Sequence, residues 1–175
     1  MLFNSIHFLL FFPIVVLLYF SIAHRWRWML LLISSYYFYM SWKAEYVVLL
    51  MISTLVSYGT ALYIFKSKTQ NGKKIFLGIC LLVNLGLLFF FKYFNFFSDS
   101  LRGFLQQLSI PLHPITIKVL LPIGISFYTF QTLSYVIDVY RGEIKPERHV
   151  GIFAVYITFF PQLVAGPIER ARNLL

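Results

Sequence analysis

The sequence predicts an all-α fold, a polytopic transmembrane helix bundle of about six membrane segments. Of its 175 residues, 59% are hydrophobic and 20% aromatic, with a mean hydropathy of +0.77. Soluble domains hold only about 45–50% apolar residues. The apolar residues fall into runs separated by short charged connections, and no stretch is long or polar enough for a soluble domain. Residues 1–175 therefore read as a single membrane domain.

The first apolar run covers residues 6–23. Ser21-Ile22-Ala23 imitates the cleavage site of a secretory signal. Nothing basic precedes the core, however, whereas Arg25 and Arg27 follow it, the reverse of a signal peptide. The run is a retained span with its N-terminus outside. The second, residues 28–42, is short for a hydrocarbon core about 30 Å thick. Trp28 and Trp42 mark its ends, and Tyr36, Tyr37, Phe38 and Tyr39 form an aromatic belt. The third and fourth runs cover residues 46–65 and 75–94. Cys80, the one cysteine, lies inside the fourth, so the chain has no disulfide framework or cysteine-based metal site, and Cys80 reads as a small buried hydrophobe.

Residues 95–116 form the longest connection. Phe96, Phe97, Leu101, Phe104, Leu105 and Leu108 recur at near-helical spacing, which suits an amphipathic helix in the membrane interface. A plain loop packed on the bundle fits as well. The fifth and sixth runs cover residues 119–140 and 150–168.

Alternating these spans places Arg25, Arg27, Lys66, Lys68, Lys73, Lys74, Arg141, Lys145 and Arg148 on one side. The opposite loops hold fewer: Lys43, Lys92, Arg102, Lys118, Arg170 and Arg172. The positive-inside rule makes the first group cytoplasmic. The net charge of +9 is thus a topology and lipid signal, with no single basic surface for nucleic acid.

The fifth run carries polar residues that a lipid-facing helix would not. Gly124, Tyr128, Gln131, Tyr135 and Asp138 fall three or four apart and share a helical face, with Ser134 and Arg141 beside it. A charge near the bilayer centre costs about 3 kcal/mol on insertion scales, so Asp138 needs a partner or a wet cavity. Arg141, three residues on, is within reach. The face is expected to line a polar path, with surface anchoring of the helix end as the alternative. In the sixth run Pro161, Gly166 and Pro167 interrupt membrane-depth sequence, and Gln162 adds a further polar candidate. Such a segment breaks or re-enters at Gly166-Pro167; the alternative is a simple helix end at Ala165 with Gly166 as its cap.

Leu121-Pro122-Ile123-Gly124-Ile125-Ser126-Phe127-Tyr128-Thr129-Phe130-Gln131, continuing from Ser134 through Gly142, resembles a signature block of the membrane-bound O-acyltransferase family. The run from Phe160 to Ile168 resembles the next block at the expected distance. Phe8 to Pro13, Ser35 to Tyr39 and Phe91 to Phe96 are similar to the bacterial alginate O-acetylation branch. The resemblance implies a polytopic protein of the bacterial inner membrane. It implies movement of an acyl group, acetyl above all, from a cytoplasmic donor such as acetyl-CoA or an acyl carrier toward an exported polysaccharide or other envelope acceptor. No bound cofactor is implied. Partners would be membrane lipid, the rest of the acyltransferase chain and extracytoplasmic polysaccharide-modifying proteins.

Family members are more than twice as long, and their catalytic histidine lies on a later span. The chain is accordingly expected to be an N-terminal portion, inactive alone, with no catalytic residue and no metal site of its own. His7, His24, His113 and His149 read as interfacial or loop residues. Two other functions fit the same helices. One is a non-catalytic scaffold of a polysaccharide secretion complex; the other is a transporter-like subunit in which Asp138 and the broken segment form the pathway.

Overall fold

The computed structural model describes residues 4–107, 122, 124–166 and 171. Among them the chain is helical and free of strands. In order it forms α1 (Ile6–Ser21), a 3-10 turn (His24–Trp26), α2 (Arg27–Met40), α3 (Tyr46–Lys66) and α4 (Gln70–Leu88). A π-helical segment (Phe89–Tyr93) leads into α5 (Phe94–Gln107), followed by α6 (Ile125–Arg141), α7 (Val150–Thr158) and α8 (Phe160–Ala165). The helix starts follow from local chemistry. Ser5 Oγ accepts from the Phe8 amide at 3.2 Å, and Thr69 Oγ1 accepts from Gly72 N at 3.3 Å, each satisfying an amide that the first turn leaves free.

Helices α3, α4 and α6 pack mutually and form the centre of the molecule. On α3, Leu50, Ser53, Ser57, Ala61 and Ile64 recur every three or four residues and are all buried. The small side chains of Ser53, Ser57 and Ala61 let the neighbouring backbones come close. Cys80, Asn84 and Leu88 form the matching buried row of α4. These rows are joined by hydrogen bonds. Ser53 Oγ donates to Asn84 Oδ1, while Asn84 Nδ2 donates to Ser57 Oγ at 3.1 Å and to the Cys80 carbonyl at 2.9 Å. Cys80 is fully buried, as the sequence suggests, and its Sγ lies 3.4 Å from Ser57 Oγ.

Outside this centre, α7 packs against α2, and α1 rests on α2. Only Val15 of α1 is buried. Phe160 of α8 helps hold that helix through rings: its centroid lies 5.4 Å from Phe11 and from Phe38, and 6.4 Å from Phe8.

Two helical runs are long and apolar enough to cross a bilayer, Tyr46–Lys66 and Gln70–Leu105; Ile6–Ser21 and Val150–Leu163 are shorter apolar helices. Several boundaries move relative to the sequence reading. The fourth run begins at Gln70 and does not stop at residue 94, because no proline or glycine turn ends it there. The residue 95–116 connection is helical through Gln107, while Leu108 and the rest of it lie outside the described residues. Residues 119–121 also lie outside them, and the fifth run is helical only from Ile125, after Gly124 in the left-handed conformation (φ 74°). The sixth run is two helices.

Candidate functional site

The site builds up from one interruption. Helix α7 has nine residues and ends at Thr158, after about 13 Å of rise, less than half a hydrocarbon core. Proline explains why it stops. Continuing the helix would require an amide from residue 161 for the Ile157 carbonyl, and Pro161 has none. Phe159 leaves the helical region (φ −53°, ψ 110°), and α8 restarts with Pro161 in its first turn, where a missing N–H costs nothing.

A broken backbone in an apolar interior needs polar partners. Neighbouring helices supply two here. Gln131 of α6, 4% exposed, donates from Nε2 to the Tyr156 carbonyl at 2.8 Å. Ser35 of α2 accepts from the Phe160 amide at 3.2 Å. The turn closes itself as Phe159 O accepts from Gln162 N and Leu163 N. Gly166 then caps α8 (φ −83°, ψ 155°), its amide bonding to Gln162 O. The break predicted for Gly166-Pro167 thus falls at Phe159. At Gly166 the alternative, a capped helix end after Ala165, is what the chain adopts, while Pro167 lies outside the described residues.

The predicted face of α6 lies along this broken helix. At its outer limit Gly124 is pressed against α8, where an added Cβ would come within 2.7 Å of the Leu163 carbonyl. Farther along, Tyr135 packs its ring 4.7 Å from Phe153 of α7. Tyr128 lies between Gly124 and Gln131. It is 1% exposed, and its hydroxyl, fully shut off from solvent, has no hydrogen-bond partner among the described residues. Ser134 is half-buried, and so is Gln162 on α8.

Asp138 and Arg141 do not pair. Gly142 in the left-handed conformation (φ 77°) turns the chain back, which brings Glu143 to Arg141, Oε1 to Nη1 3.8 Å. Asp138 is buried at 9% exposure, and no described residue gives its carboxylate a hydrogen bond or ion pair.

The loop after α6 is tied down by tyrosines. Tyr135 Oη accepts from the Glu147 amide at 2.8 Å, and Tyr58 of α3 donates to the Arg148 carbonyl. His149, expected as a plain loop residue, caps α7: its Nδ1 accepts from Ile152 N at 3.2 Å. Its ring meets Trp28 edge-on at 4.7 Å. Gly151 lets Trp28 lie against α7, since a Cβ there would fall 2.2 Å from the indole.

Two apolar clefts of about 250 Å3 flank the broken helix. One lies beside the break, among Val15, Tyr19, Leu31, Phe159, Phe160 and Pro161. The other lies between α2, α3 and α7, with Trp28, Tyr36, Thr54 and Gly151 in its wall. Chemically each suits a hydrocarbon chain. The polar residues of α6 line neither of these two, because Gln131 spends its amide on the break and Tyr128 is covered. Among the described residues no group of three metal-binding side chains comes together.

The chain is 41% identical over 179 residues to the probable alginate O-acetylase AlgI of Pseudomonas putida, covering 100% of this chain and 36% of that protein. It is 39% identical over 178 residues to the corresponding protein of Azotobacter vinelandii, covering 100% of this chain and 35% of the relative. A peptidoglycan O-acetyltransferase of Helicobacter pylori is 30% identical over 169 residues, 83% of this chain and 31% of that protein. The chain spans about a third of the length of these relatives and matches the N-terminal third of the alginate O-acetylases. No protein-family model and no solved structure matches it.

Proposed function

We propose, for a chain that belongs with the membrane-bound O-acyltransferases as a counterpart of the N-terminal third of the alginate O-acetylases, a part in moving an acyl group across the bacterial inner membrane. The donor is acetyl-CoA or an acyl carrier on the cytoplasmic side. The acceptor is an exported polysaccharide or another envelope polymer. The observation that carries this reading is similarity along the whole of this chain to about a third of the length of proteins named as probable alginate O-acetylases, joined by one named for peptidoglycan.

In this reading the segment is scaffold and passage wall. The broken helix fits that task, because irregular backbone at membrane depth is tolerated where protein buries it or a cavity runs past it. The chemistry itself belongs to a histidine on a later span. Positive charge at Arg25, Arg27, Lys66, Lys68, Lys73, Lys74, Lys145 and Arg148 supports a multi-pass topology with those ends cytoplasmic and the N-terminus outside. Extracytoplasmic polysaccharide-modifying proteins are the partners this topology invites.

The test is to express residues 1–175 alone, and joined to the remainder of the protein, in a strain lacking its own polymer O-acetylation. Acetyl esters on the exported polymer are then measured. The joined protein should restore ester and the segment alone should give none. Ester from the segment alone would overturn the division of labour, and no ester from the joined protein would overturn the acyl-transfer reading.

A further inference from the structure

Lys74 and Lys92 stand eighteen residues apart on the α4 run, about 27 Å of helical rise, close to the thickness of a hydrocarbon core. The π segment carrying Lys92 is docked on the bundle. Lys92 Nζ reaches Ser126 Oγ at 3.3 Å, and the Phe91 ring meets Tyr46 edge-on at 6.1 Å. Helix α5 therefore begins where the span ends. Its chain continues helically to Gln107, yet Phe96 is 66% exposed, Phe97 55%, Leu101 57% and Phe104 60%.

These four residues fall on one side, while Asn95, Asp99 and Arg102 fall on the other. The apolar side continues the outward-facing row of α4, formed by Leu82, Leu85, Phe89 and Tyr93, all of them exposed. Phe89 and Phe97 bring their ring centroids to 5.1 Å across the π segment, so the two apolar rows meet there, and a π segment is a place where a helix axis can kink.

We propose that α5 is an in-plane membrane anchor, turned over at the π segment so that Phe96, Phe97, Leu101 and Phe104 lie among lipid chains just beneath the headgroups. The occupant of this face is lipid. A helix standing upright would hold three phenylalanines in water, whereas one laid flat buries them and leaves Asp99 at the headgroups. Through Lys92 and Ser126 the anchor fixes the depth of the first turn of α6, the turn that meets α8 at Gly124. The inference rests on the membrane reading and is independent of acyl transfer.

The test uses the complete protein in a Cys80→Ser background, reconstituted in phosphatidylethanolamine and phosphatidylglycerol vesicles, with a fluorophore on Phe97→Cys, Phe104→Cys or Asp99→Cys. Phospholipids brominated on their acyl chains should quench the labels at 97 and 104 about threefold more than the label at 99. Aqueous iodide should give the opposite order. Equal quenching of all three by iodide would overturn the proposal in favour of a helix standing in water. Labels at 97 and 104 shielded from both quenchers would overturn it in favour of a protein covering this face.

Discussion

Two polar contacts inside this apolar molecule solve different problems. Between α3 and α4, Asn84 joins Ser53 and Ser57 across two unbroken helices. Between α6 and the α7–α8 segment, Gln131 bonds a carbonyl that the helix itself no longer serves, and Ser35 does the same for an amide. The first contact adds bonds to backbone that is already satisfied. The second replaces the bond between Phe160 N and Tyr156 O that the break at Phe159 removes. Losing a side chain should therefore hurt more at the break, where it removes a bond to a buried backbone group, than at the clamp, where a serine hydroxyl can turn back to a carbonyl of its own helix.

The largest expected effect is at Gly124. Alanine there meets both a left-handed backbone and the Leu163 carbonyl 2.7 Å from its Cβ. The conformation alone costs about 1 kcal/mol and the displaced α8 adds to it, so Gly124→Ala should lose about 2–3 kcal/mol of stability. Thermal melting of the purified protein in detergent reads this directly. A change under half a kcal/mol would mean that α8 is not held against α6.

Next comes the direct comparison. Gln131→Leu removes the amide that bonds the Tyr156 carbonyl at the break, at a cost of about 1–3 kcal/mol. Asn84→Leu should cost about 1 kcal/mol or less, in line with interhelical hydrogen bonds measured in membranes. Melting the two variants side by side sharpens the contrast. If Asn84→Leu proves the more damaging, the clamp, and not the repaired break, dominates the fold.

How far the sequence revealed these features depends on how local they are. The helical face of α6 follows from spacing within one run, and an interruption of the sixth run follows from its prolines and glycine. The position of the break does not. It falls at Phe159 because Ser35 and Gln131, 125 and 25 residues away in their bonds, wait there with a hydroxyl and an amide. Arg141 was within reach of Asp138 by spacing, yet Gly142 ends the helix and delivers Glu143 instead. Asn84 could have been found: a lone amide deep in an apolar run, opposite serines four apart on the preceding helix, calls for a partner. Gly151 carried no such signal, since its reason is a tryptophan from α2.

The smallest effect is the most informative about why the break exists. The Tyr128 hydroxyl is shut off from solvent without a partner, and such a group costs about 1–3 kcal/mol that a phenylalanine would not. Tyr128→Phe removes only the hydroxyl and keeps the buried ring, so it should hold or raise stability, by about 1 kcal/mol at most. A loss of stability would mean that the hydroxyl is bonded in solution. If stability holds, the comparison between the regions becomes one of purpose. The clamp satisfies every donor it contains, whereas the face along the break keeps a hydroxyl at a cost to the fold. In the complete protein, Tyr128→Phe should then lower ester formation while the folded amount is unchanged, as expected where stability is given up for function.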